Sequence, residues 1–153
     1  MATSGLRVQF ESEHSRTHYA IGSADEVDSF IDSLLNGKHE QNCAVVYSLD
    51  RPSLASGYPD HELAVGLDRG TQMGALTFAE DEIFASKGSV DRGIVEYMLL
   101  GHVREFMPGS EVPVERVRQA MKEFLGNDGE IPTCIEWQEE EFRAPDRRSG
   151  RDS

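Results

Sequence analysis

Residues 108–137, PGSEVPVERVRQAMKEFLGNDGEIPTCIEW, read as turn, helix, turn and strand. Pro113 is placed to be the first residue of the helix, where its missing N–H costs nothing, and Glu115 stands in the first turn facing the positive end of the helix dipole. Val117, Met121, Phe124 and Leu125 recur at helical spacing as an apolar stripe, which leaves Arg116, Arg118, Lys122 and Glu123 for the outer face. GNDGEIP stops the helix. TCIEW then returns as a strand ending on the only tryptophan, Trp137.

Upstream, a second helix is signalled by SADEVDSFIDSLLNG. Ser23 is its cap, Glu26 the capping-box partner and Gly37 the left-handed stop. Val27, Phe30, Ile31, Leu34 and Leu35 form one face, with Asp25, Asp28 and Asp32 toward water. LRVQF (6–10) and THYAIG (17–22) suggest a hairpin, and CAVVYSL (43–49) a strand buried on both faces. ELAVGLD (62–68), MGALTFA (73–79) and IVEYMLL (94–100) continue as an antiparallel meander, with EDEIFASKGSVDRG as a connector and Gly66, Gly70 and Gly74 serving strand turns. The expected architecture is α+β, a single domain over residues 1–138 with a mainly antiparallel β-sheet and two principal helices packed against it. Residues 139–153, without periodicity, read as a disordered charged tail.

A chain of 153 residues suffices for one domain burying about two-thirds of its unfolded surface. It contains no apolar run of membrane-spanning length and no secretory leader pattern, so it is expected in the cytoplasm. Cys43 and Cys134 lie in apolar runs, as buried reduced thiols do. The formal net charge is −13, although residues 143–153 alone hold four arginines and two aspartates. An acidic body disfavours direct nucleic-acid binding and favours attraction to a basic protein.

No catalytic constellation is visible. His14 and His18 would lie about 13 Å apart along a strand, too far for one metal ion. HExxH, CxxC, GxSxG and phosphate-loop patterns are absent, and the sequence around Cys43 offers no base or cation to make a thiolate. His61 precedes Glu62 without the downstream cysteine pair of a zinc deaminase. The five histidines read as solvated or structurally satisfied, and no metal or cofactor is expected. The acidic runs at 80–82 and 139–141 lack calcium-loop spacing and read as solvated faces or protein-binding patches.

LAVGLDRGTQMGALTFAEDEIFASKG (63–88), followed by residues 94–137, resembles a bacterial immunity-protein family whose genes lie beside deaminase toxins of polymorphic toxin systems. The likeness rests on Ser110, Val112, Pro113, Glu115, Ala120, Phe124, Pro132, Ile135 and Trp137, and it extends from about residue 6 to 138. It implies an α+β antitoxin that binds a cognate toxin domain in the producing cell, and with no catalytic constellation in the sequence no enzymatic activity is expected. It assigns no interface residues. From the density of acids beside strand ends, Asp81 and Glu82 are the leading candidates to face the toxin, with Asp60, Glu62 and Asp91 behind them and Tyr58 or Phe84 as possible aromatic anchors. Two other readings stand beside it. A small enzyme would show a pocket joining a histidine to a carboxylate with a shifted pKa. An acidic nucleic-acid mimic would inhibit some other basic protein.

Overall fold

The computed structural model describes residues 5–9, 19–36, 42–51, 54–57, 59–99 and 102–139. Antiparallel strands build the central sheet: β1 (Leu6–Gln9), β2 (Tyr19–Ile21), β3 (Cys43–Ser48), β4 (Glu62–Asp68), β5 (Met73–Ala79), β6 (Ile83–Lys87), the two-residue β9 (Val112–Pro113) and β10 (Glu136–Glu139). Their order is β10-β6-β5-β4-β3-β1-β2, with β9 also on β5. Helices α1 (Ala24–Leu35) and α2 (Val114–Gly126) cover one face. A separate hairpin of β7 (Val95–Leu99) and β8 (His102–Phe106) packs on the other. The α+β class is as expected from the sequence, with one more layer.

Period-two alternation divides the core. Ala44, Val46, Leu63, Val65, Leu67, Leu76 and Phe78 face the helices and meet Val27, Phe30, Ile31, Leu34, Val117, Met121 and Phe124. Their neighbours Cys43, Val45, Ala64 and Ala75 face the hairpin and meet Tyr97 and Phe106. Gly66 and Gly74 are therefore not turn residues. A Cβ on Gly66 would lie 2.4 Å from the Tyr97 ring, and one on Gly74 would lie 2.6 Å from the carbonyl oxygen of Gly66, so both are demanded by close approach within strands.

Three further expectations need correction. The stretch read as a connector contains β6, because Phe84 and Ala85 pair with Phe78 and Thr77 despite the charges on either side. IVEYMLL does not join the meander. Its residues Val95–Leu99 pair with HVREF instead, and β9 takes the place beside the start of β5. Ser86 makes that exchange possible: its buried hydroxyl accepts the Leu76 N–H and donates to the Ser110 carbonyl, satisfying groups that the diverging ladder would strand. Of TCIEW, only Glu136 and Trp137 enter β10, which runs on to Glu139, the first residue assigned to the tail; residues 140–153 and Gly37 lie outside the described residues.

The caps are those of the sequence with small shifts. The Ser23 hydroxyl accepts from the Glu26 N–H, but the Glu26 carboxylate reaches Gly22 N, one residue before the cap. Pro113 is the N-cap of α2 rather than its first residue, in extended conformation. It is held there by the pairing of β9 with Met73.

Candidate interaction surface

The start of β4 and the β5–β6 turn share one end of the sheet, where Glu62 pairs with Ala79 in register. This end gathers four of the five candidate acids. Asp81 and Glu82 are exposed in the turn and make no ion pair among the described residues. Asp60 and Glu62 are half-buried and already partnered. Arg51 bridges Asp60 and Glu80 and donates to the Gly129 carbonyl, which ties this corner to the end of α2. Arg104, reaching from β8, pairs with Glu62 at 3.1 Å. Asp91 lies beyond the opposite end of β6, where its carboxylate accepts the Gly93 N–H. Its neighbour Arg92 grips the buried Glu111 with both arms at 2.8 and 2.6 Å. Phe84 is half-buried on β6, and Tyr58 lies outside the described residues.

His61 is the group that the enzyme reading would use. It lines a shallow cleft of about 330 Å³ with Tyr47, Leu54, Asp60, Glu62 and Glu80. Burial holds its imidazole below the usual histidine value, only partly countered by the bond from Nδ1 to Asp60 at 2.9 Å. Burial pushes the Asp60 carboxyl up, but His61 and Arg51 outweigh it and keep it below the usual aspartate value. Both imidazole nitrogens are engaged, because Nε2 accepts the buried Ser48 N–H at 2.8 Å. A ring whose lone pair already satisfies the backbone has no free position from which to take a proton. His61 is a structural acceptor, as the sequence reading supposed.

The thiols are equally unsuited to nucleophilic chemistry. Cys43 is free and buried, and burial pushes its pKa up to about 12. Among the described residues no group of His, Cys, Asp and Glu is arranged to hold a metal ion. No helix among them is long and apolar enough to cross a membrane.

Several charged residues read as solvated instead hold the scaffold. Arg118 of α2 contacts Asp28 and Asp32 of α1, and Lys122 reaches Asp28 at 3.0 Å, so these form an interhelical seam. Glu123 receives the Thr133 and Cys134 N–H groups and the Thr133 hydroxyl. Burial pushes its carboxyl up, but these donors outweigh burial and leave it below the usual glutamate value. The chain after α2 is thereby turned back, and Trp137 donates to the Pro132 carbonyl at 2.7 Å.

The residues that carried the likeness to immunity proteins are thus scaffold: Ser110, Val112, Ala120 and Phe124 are buried around α2, and Pro132 and Trp137 close its far end. The family model for immunity protein Imm1 matches residues 15–139 of the 153. The chain belongs to the Imm1 immunity protein family. A search of curated proteins found no match. In this Imm1 chain the matched span takes in both helices and every strand from β2 to β10.

One surface was not anticipated from the sequence. The outer side of the β7–β8 hairpin carries Glu96 opposite Glu105 and Met98 opposite Val103. Finding it required knowing that the two segments pair, and in which register.

Proposed function

We propose that this Imm1 protein is an antitoxin that binds a cognate toxin domain in the cytoplasm of the producing cell and covers its active site with an acidic surface. A toxin acting on nucleic acid or nucleotides, a deaminase foremost, is the target that suits this surface best. Such an enzyme needs positive potential around the pocket that receives a phosphate-bearing substrate. The net charge of −13 is complementary to it. The observation that carries this reading, beyond family membership, is the contrast within the acidic corner. Asp60, Glu62 and Glu80 are held by Arg51 and Arg104, while Asp81 and Glu82 project from the β5–β6 turn with no cationic partner among the described residues. Unpaired exposed acids steer a basic partner and raise its association rate.

The test is co-purification with the toxin encoded beside this gene, together with rescue of cells expressing it. The antitoxin reading is abandoned if the tagged chain neither retains nor protects against that toxin. Changing Asp81→Lys and Glu82→Lys together should slow association at low salt by about tenfold and leave stability within about 0.5 kcal/mol. An unchanged association rate removes the turn from the interface.

A further inference from the structure

The β7–β8 hairpin buries one side and leaves the other without a covering element among the described residues. Tyr97 and Phe106 stack edge to face at 5.2 Å in the small core beneath it. On the other side the ladder sets Glu96 directly across from Glu105, and Met98 directly across from Val103. Val103 is 55% exposed, and Ile94, two residues before Glu96 and on the same side by alternation, is 47% exposed. The outer face is thus apolar, acidic and apolar again along its length.

Two features set this face apart from an ordinary solvated strand pair. Like charges directly opposite in an antiparallel ladder repel across about 5 Å. Elsewhere arginines pair with the half-buried Asp60, Glu62 and Asp28 and with the buried Glu111. Glu96 and Glu105 have no hydrogen bond or ion pair among the described residues, although Arg104 precedes Glu105 directly and is paired with Glu62. The exposed Val103 and the half-buried Met98 place aliphatic surface directly next to this pair.

We infer that the outer face of the β7–β8 hairpin is the surface that anchors the toxin, with an arginine or lysine of the toxin set between Glu96 and Glu105 and its aliphatic stem lying on Met98 and Val103. This rests on the antitoxin reading given above and adds to it the place where affinity resides. Charge complementarity selects the occupant: a second copy of this acidic chain would bring glutamates against glutamates, whereas a basic side chain relieves the repulsion and is itself neutralised. A bare cation would need further ligands, and the described residues place no third metal-binding side chain there. The division of labour follows. The β5–β6 turn speeds encounter, and the hairpin slows release.

The test uses the full chain against the adjacent toxin domain made catalytically inactive, with affinity and rates measured by surface plasmon resonance and stability by thermal melting. Changing Glu96→Gln and Glu105→Gln together should weaken binding at least about tenfold, mainly through faster dissociation, while raising the melting temperature by about 1–3 °C. Val103→Ser should also weaken binding about tenfold, without that rise in melting temperature. A residue pair with only a structural role would not separate the two readouts in opposite directions. If the unaltered chain binds and these variants bind equally well, the hairpin assignment is overturned and the antitoxin reading stands. If the unaltered chain does not bind, both fall. A lower melting temperature in the double variant overturns the claim that the glutamate pair is an unrelieved repulsion kept for a partner.

Discussion

On its helix side the central sheet presents Leu63, Val65, Leu67, Leu76 and Phe78; on its hairpin side the same two strands present Ala64, Gly66 and Ala75, beside Cys43 of β3. Large side chains meet two amphipathic helices, whereas small ones leave room for Tyr97 and Phe106 from a two-stranded cover. The helix side therefore buries most of the apolar surface. The hairpin side has little core to lose, and its outer residues contribute almost nothing to packing. Stability and family signature are concentrated on one face, and the other face is left able to carry partner-specific residues. A scaffold that separates the two can change its partner without disturbing its fold.

The largest expected effect lies on the helix side. Phe124 is fully buried, packed edge-on against Phe78 with centroids 6.2 Å apart. Phe124→Ala should cost about 3–5 kcal/mol in urea denaturation, as aromatic truncations in closed cores do. On the hairpin side, Gly66→Ala drives a methyl into the Tyr97 ring and should cost about 1–3 kcal/mol. Hydrogen exchange should then rise in residues 95–106 and stay low in α1 and α2. If Gly66→Ala costs more than Phe124→Ala, stability is not concentrated on the helix side.

His61 belongs to the helix side, with its ring 5.9 Å from that of Phe124. His61→Leu leaves the Ser48 N–H without its acceptor and should cost about 1–3 kcal/mol. The same group sets a pH dependence. Its folded pKa is lowered, so near the ordinary histidine pKa of about 6.5 the unfolded chain takes up a proton that the folded chain resists. Its effect is nil well above that pH. Stability should fall as pH drops through about 6.5 toward the lower folded value, and denaturation midpoints at pH 7.5 and 5.5 should show a smaller difference in His61→Leu than in the parent.

The smallest effect should come from the interhelical seam. Arg118→Ala removes contacts to Asp28 and Asp32, of which Asp32 is well exposed, and should cost no more than about 1 kcal/mol. A loss comparable to Phe124→Ala would mean that ion pairs rather than apolar packing hold the two helices together. Raising the salt concentration should abolish most of the effect.

Much of the scaffold was legible because its signals are local. The capping serine of α1, the apolar stripes of both helices and the β-rich runs from 43 to 79 each depend on residues within a few positions of one another. Charge next to Ile83 and Phe84 masked β6, whose strand character comes from its place beside β5. A clue to the hairpin layer was present in ELAVGLD, where large and small apolar residues alternate inside a run that looks uniformly buried. Such alternation marks a strand covered on both sides by layers of unequal thickness.

The sequence by itself determined an acidic α+β domain with two amphipathic helices and no catalytic pattern, since composition, capping and periodicity are properties of neighbours along the chain. Only the tertiary structure decided which acids are free. Arg51 reaches Asp60 and Glu80, Arg104 reaches Glu62, and Glu96 is set against Glu105 through contacts that depend on strand register and layer packing. Whether a carboxylate is spent on the fold or left for a partner is fixed by what lies across from it in space, and sequence spacing does not record that.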